Sequence, residues 1–130
     1  MIRSFFYISF SNLGYSVNAV YIKGLEQNGA IIYGFHLKKR GLAGYLKSLK
    51  EYWKLRKKIN AVIIGYDSPQ LVFLAKLISK KKIVYNALCS AYERFVISRA
   101  LVPKFSAKAF YYWFNDFIAV HLSDLVMLET

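Results

Sequence analysis

Seven of the 130 residues are acidic, and before Glu129 only two of them, Asp67 and Glu93, fall in segments that follow apolar, strand-like runs. A carboxylate placed beyond the end of a strand can orient a hydroxyl or accept its proton, so both are candidate catalytic groups. Asn12, Gly14, Tyr66, Asn86, Ser90 and Tyr92 occupy the same kind of segment and complete a candidate cleft with them. Other chemistries lack their parts. No Ser, His and Asp arrangement supplies a nucleophilic triad. Of the two histidines, His36 has no obvious partner, and His121 lies in an apolar helical run and reads as structural. Cys89 is the single cysteine, which excludes an internal disulfide and zinc-ligand spacing and fits a reducing cytoplasm. The loop Ser11–Ser16 has one glycine where a dinucleotide fingerprint needs three, and a Walker-type lysine is missing. The expectation is therefore no metal and no cofactor held by this chain.

The charge is local. Between Lys38 and Lys58 nine basic residues meet one acid, Glu51, so this stretch carries +8 of a net +12. Lys47, Lys50, Lys54, Lys57 and Lys58 recur at helical spacing beside an apolar stripe of Leu42, Tyr45, Leu46, Leu49 and Trp53. A basic amphipathic helix of this kind suits an anionic membrane surface, where each engaged cation contributes roughly 1 kcal/mol before screening and Trp53 can seat at the interface. The same pattern fits an outer helix whose stripe packs on a sheet.

The elements that must position these residues alternate strictly. Ser4–Phe10, Ala30–Phe35, Ala61–Gly65, Ile83–Tyr85 and Asp124–Leu128 read as strands. Helices are expected from Ser16 to a C-terminal Gly29, with Val17, Val20, Tyr21, Gly24 and Leu25 on one face, then over Leu42–Lys58, from a Ser68 cap to about Lys80, and over Ser106–Leu122. Asn86–Lys104 reads as a longer connection with some helix. This order predicts a Rossmann-like open parallel sheet of about five strands with helices on both faces, in one domain. No apolar run reaches the roughly 18–20 residues of a spanning helix. The last strand is followed by only Glu129 and Thr130, where such folds place a functional loop, so the domain reads as cut short.

Three segments carry a resemblance: Ser11–Asn18 with Ile22–Leu25 and Asn28-Gly29, Lys82–Glu93, and Ser123–Thr130. Together they resemble the N-terminal, acceptor-side domain of GT-B-fold, family-4-like glycosyltransferases. Where that family has Asp at the end of a strand this chain has Asn86, and an amide cannot serve as a base. The resemblance implies transfer of a sugar from a nucleotide-sugar to a membrane-linked or cell-envelope glycan acceptor, at the cytoplasmic face of the membrane. It also implies a second, donor-binding domain, which these residues do not contain, so the isolated chain is expected to be inactive.

Two other classes remain. The chain could be a non-catalytic, membrane-associated subunit of a split glycosyltransferase, for which an exposed aromatic face on Phe110–Phe114 would argue, since five successive aromatics cannot all face one core. A nucleic-acid-binding module would also suit the charge, but no recognised RNA-binding or zinc-finger motif accompanies it.

Overall fold

The computed structural model describes residues 3–14, 16–38, 41–66, 68–88 and 91–128. Five strands, β1 (Ser4–Ser9), β2 (Ile31–His36), β3 (Ala61–Ile64), β4 (Lys82–Leu88) and β5 (Leu125–Leu128), alternate with helices α1 (Ser16–Gln27), α2 (Leu42–Leu55), α3 (Pro69–Ile78) and α4 (Ala107–Leu122). The strands form one parallel sheet in the order β2-β1-β3-β4-β5. The expected fold class is present.

That order fixes where the helices lie. The chain steps one way from β1 to β2 and the other way in every later crossover, and right-handed crossovers then put α1 on one face and α2, α3 and α4 on the other. The packing agrees. Phe6, Ile8, Val62, Ile64, Ile83 and Tyr85 form one buried cluster with Tyr52 of α2, Leu71, Val72 and Ala75 of α3 and Ala119 of α4. Tyr7, on the opposite face of β1, meets Asn18 of α1 instead. The reversal between β1 and β3 is the switch point beyond which ligands bind in open α/β sheets.

Local chemistry sets the boundaries. Gly29 has φ of +87°, and the N–H groups of Gly29 and Ala30 donate to the carbonyls of Glu26 and Leu25 at 3.0 Å each, closing α1 in the expected glycine-terminated turn. Ser106 caps α4 by accepting the Ala109 N–H at 3.1 Å. Asp124 accepts the Ile83 N–H at 2.8 Å and lies 3.7 Å from Lys82, which ties β5 to the start of β4. The Ile83 N–H, and to a smaller extent Lys82, hold the Asp124 carboxyl below its ordinary range.

Three expectations need correction. Helix α2 ends at Leu55 rather than Lys58. Strand β4 runs to Leu88, so Asn86 belongs to the strand and not to the following loop. On α1 the inward residue is Asn18, whereas Val20 is exposed, because the helix is rotated to deliver an amide to the sheet. On α2 the inward residues are Ser48 and Tyr52, with the Tyr52 hydroxyl donating to Ser79 Oγ at 2.7 Å. Of the apolar stripe, Leu42 is 76% exposed, Leu46 56% and Trp53 56%, whereas Tyr45 and Leu49 are half-buried, Tyr45 against the core.

Candidate functional site at the carboxyl edge of the sheet

The site begins with a glycine. Where β3 ends, a Cβ on Gly65 would lie 2.7 Å from Ser9 Cβ, 2.8 Å from Asn18 Oδ1 and 2.8 Å from the Tyr7 ring, so only glycine lets the chain pass this close to β1 and α1. Into that narrow space the fold places four polar side chains, Tyr7, Ser9, Asn18 and Ser68, all at or near zero exposure.

Asn18 joins them. Its Oδ1 accepts from the Tyr7 hydroxyl at 2.8 Å and from the Tyr66 N–H at 3.0 Å, and its Nδ2 donates to Ser9 Oγ at 3.3 Å and to the Asn12 carbonyl at 3.2 Å. Both amide hydrogens and both lone pairs are used, the full capacity of the group. Ser9 Oγ donates to the Tyr66 carbonyl at 3.0 Å, and Ser68 Oγ accepts the Phe10 N–H at 2.9 Å. The loops after β1 and β3 are thus locked to each other and to α1. Burial pushes the Tyr7 phenol up to about 12, against a smaller pull from the neighbouring Asn86 amide.

The outer rim is more open. Asn12 Oδ1 accepts the Gly14 N–H at 2.7 Å, an Asx-type turn that shapes the first loop. Gly14 needs no left-handed backbone, and a Cβ there would meet only Asn12 Oδ1 at 3.3 Å. The Arg94 guanidinium donates to the Tyr66 hydroxyl and lies 4.6 Å from the centre of the Phe95 ring. Arg94 belongs to a π-helical segment, Glu93–Ser98, that follows β4. This segment is anchored from α4, whose Asp116 accepts the N–H groups of Ala91 and Tyr92 at 3.1 and 2.8 Å, while Phe95 stacks on Tyr112 at 5.0 Å. Helix interruptions of this kind are frequent at functional sites.

The sequence-based candidates separate accordingly. Asn12, Gly14 and Tyr66 lie on the rim, and Tyr92 is fixed through its backbone. Glu93 is exposed on the first turn of the π-helical segment. Asn86 is fully buried, with neither its Oδ1 nor its Nδ2 in a hydrogen bond of normal geometry. Asp67 and Ser90 lie outside the described residues, as does Cys89. His36 does have a partner, the Phe10 carbonyl at 3.0 Å, and so stiffens the first loop from β2. His121 is exposed, its Nδ1 against the Phe117 carbonyl at 2.8 Å. Sequence reading missed Ser9, Asn18, Gly65 and Arg94. Asn18, the one amide in the first turns of α1, was the available signal.

Among the described residues no group of three or more His, Cys, Asp or Glu could hold a metal ion. The rim offers hydroxyl, amide and guanidinium groups, chemistry suited to polyhydroxylated and anionic ligands. Lys47, Lys50, Lys54, Lys57 and Lys58 are exposed on and just after α2, as predicted, together with Trp53, whose ring carries the Arg56 guanidinium at 3.7 Å. No helix of the described residues is long and apolar enough to cross a membrane. Comparison with known proteins finds no matching family model, no matching curated protein and no matching solved structure.

Proposed function

We propose that the chain is the acceptor-side domain of a GT-B-fold glycosyltransferase that moves a sugar from a nucleotide-sugar to a membrane-linked or cell-envelope glycan acceptor. The observation that carries this reading is the joining of three loops at one edge. Tyr66 binds Asn18 through its N–H and Arg94 through its hydroxyl, so the segments after β1, β3 and β4 present a single polar rim beyond the switch point of a parallel sheet.

On this reading the rim receives the acceptor, and a second domain or subunit brings the nucleotide-sugar donor. Transfer joins an acceptor hydroxyl oxygen to the anomeric carbon, expels the nucleoside diphosphate and releases the hydroxyl proton. Arg94 is suited to an acceptor phosphate, and Asn12 and Tyr66 to sugar hydroxyls. Glu93 and Asp67 are the candidates for orienting the attacking hydroxyl. The exposed lysines of α2 support a peripheral position on the membrane, at its cytoplasmic face on this reading.

The test is a residue-resolved titration of the isotope-labelled chain with a short polyprenyl-diphosphate-linked sugar. Amide resonances of Asn12, Gly14, Tyr66 and Arg94 should move together, Arg94→Ala should abolish the shifts, and the chain alone should turn over no nucleotide-sugar. Shifts absent from the rim, or confined to α2, would remove the acceptor assignment.

A further inference from the structure

Helices α2, α3 and α4 share one face of the sheet, and their outer surface is built unlike a solvated one. On α4, Phe110, Trp113, Phe114, Phe117 and Val120 are each between 45% and 63% exposed. Their spacing puts them on one side of the helix, turned away from the inward Ala109, Tyr112 and Ala119. Their rings stack on one another along the helix: Phe110 on Phe114 at 6.0 Å, Trp113 on Phe117 at 5.4 Å, and Phe117 on His121 at 4.1 Å.

This ladder continues sideways. Phe114 also lines an open apolar groove of about 520 Å³ between α3 and α4, with Phe73, Leu74, Leu77 and Ile118, and with Tyr45 reaching in from α2. From α2 only Tyr45 lines this groove, whereas Leu42 lines a separate one with Phe35 and His36, so the contiguous part of the exposed surface belongs to α3 and α4. Such a patch is far from the scattered single hydrophobes that ordinary surfaces carry.

The charges around it have one sign. The three helices hold two acids, of which Glu51 lies 3.6 Å from Lys54 and Asp116 is turned inward to the amides of Ala91 and Tyr92. Lys47, Lys50, Lys54, Lys76 and Lys108 are exposed at the margins. An aromatic centre with a cationic border complements one common surface, a bilayer of anionic lipid, whose headgroup region takes aromatic rings and whose phosphates take lysines. A second copy of this chain would bring like charges together.

We infer that this three-helix face lies on an anionic phospholipid bilayer, with the α4 ladder and the α3–α4 groove seated at the headgroup level and the lysines on phosphates. The inference deepens the peripheral membrane location proposed above: it makes α4, not only α2, the inserted element.

The two tryptophans allow a direct test, because Trp53 reports on α2 and Trp113 on α4. In the Trp53→Phe variant, mixed phosphatidylcholine and phosphatidylserine vesicles with brominated acyl chains should quench Trp113 fluorescence, and phosphatidylcholine alone should not. Trp113→Gln with Phe117→Gln should lower vesicle partitioning about tenfold or more with an unchanged circular dichroism spectrum. If the protein floats with vesicles while Trp113 stays unquenched, α2 alone attaches it: the membrane location stands and this inference falls. If nothing floats, both fall, and sedimentation as a dimer or retention of polyuridylate at the same salt would identify the true occupant of the face.

Discussion

The two sides of the sheet invert the usual rule in opposite directions. Between the sheet and α1, polar side chains sit at zero exposure; on the outer surface of α2, α3 and α4, aromatic rings sit in the open. Exposed single hydrophobes and buried apolar residues say little, whereas a buried polar cluster and a contiguous exposed aromatic patch each require a reason. The buried cluster has a structural reason, since Asn18 spends all four of its hydrogen bonds holding two loops. No contact within the described chain gives the ladder one, and it is the surface that calls for a partner. One side therefore gains stability from its unusual residues, and the other side retains them without that gain.

This difference is open to measurement. The largest effect should come from Asn18→Ala, which leaves the buried Tyr7 hydroxyl and the Tyr66 N–H without their acceptor and frees two loops. We expect a loss of about 3 kcal/mol or more in urea unfolding. A loss under about 1 kcal/mol would mean that the network is replaceable by water and that the contrast between the two sides is false.

Next comes pH. Because the Tyr7 phenol is raised from 10.0 to about 12 in the folded state, its contribution is fully present below pH 10, falls as the unfolded chain ionises first, and is gone once pH passes the folded value. The wild type should lose up to about 2–3 kcal/mol across that window beyond what Tyr7→Phe loses. Parallel curves for the two proteins would place the phenol in water.

Smaller again is Gly65→Ala. The new methyl meets Ser9, Asn18 and the Tyr7 ring at 2.7–2.8 Å, so the backbones must part, at about 1–2 kcal/mol. The φ angle of Gly65 is not in the left-handed region, so the cost is steric and Gly65→Val should exceed it.

How much of this was legible beforehand divides along the same line. Periodicity located the five strands and the four α-helices, though not the π-helical segment Glu93–Ser98, because apolar runs such as Ala61–Ile64 and the break at Ser68-Pro69 are set by local residues. Helix rotation was not legible. On α1 the apolar positions argued for a face containing Val20, yet one fully satisfied amide at Asn18 outweighed them. On α2 the stripe through Leu46 and Trp53 fitted a membrane or the sheet equally well, and the space above β1 and β3 is filled by Tyr52, whose hydroxyl needed Ser79 from the end of α3. Both outcomes depend on pairings between residues more than ten positions apart, which no window along the chain contains. The rim was half legible: the rule that loops converge beyond parallel strands found Asn12, Gly14 and Tyr66, while Arg94 required knowing that the chain turns back toward β3 after β4.

The smallest stability effect should be on the ladder itself, and it closes the comparison. Phe117→Gln removes a ring that packs on Trp113 and His121 along α4 and puts a good helix former in its place. An aromatic pair adds roughly 0.5–1.5 kcal/mol beyond its burial, less where the rings are near half-exposed, and glutamine recovers part of that through propensity. Unfolding free energy should therefore change by under about 0.5 kcal/mol in either direction, the range of an ordinary surface substitution. A loss above about 1.5 kcal/mol would show that the ladder braces α4 and would give the exposed rings a purely structural purpose. A change near zero, joined to lost vesicle partitioning in the double variant, would leave association as the property that the rings serve.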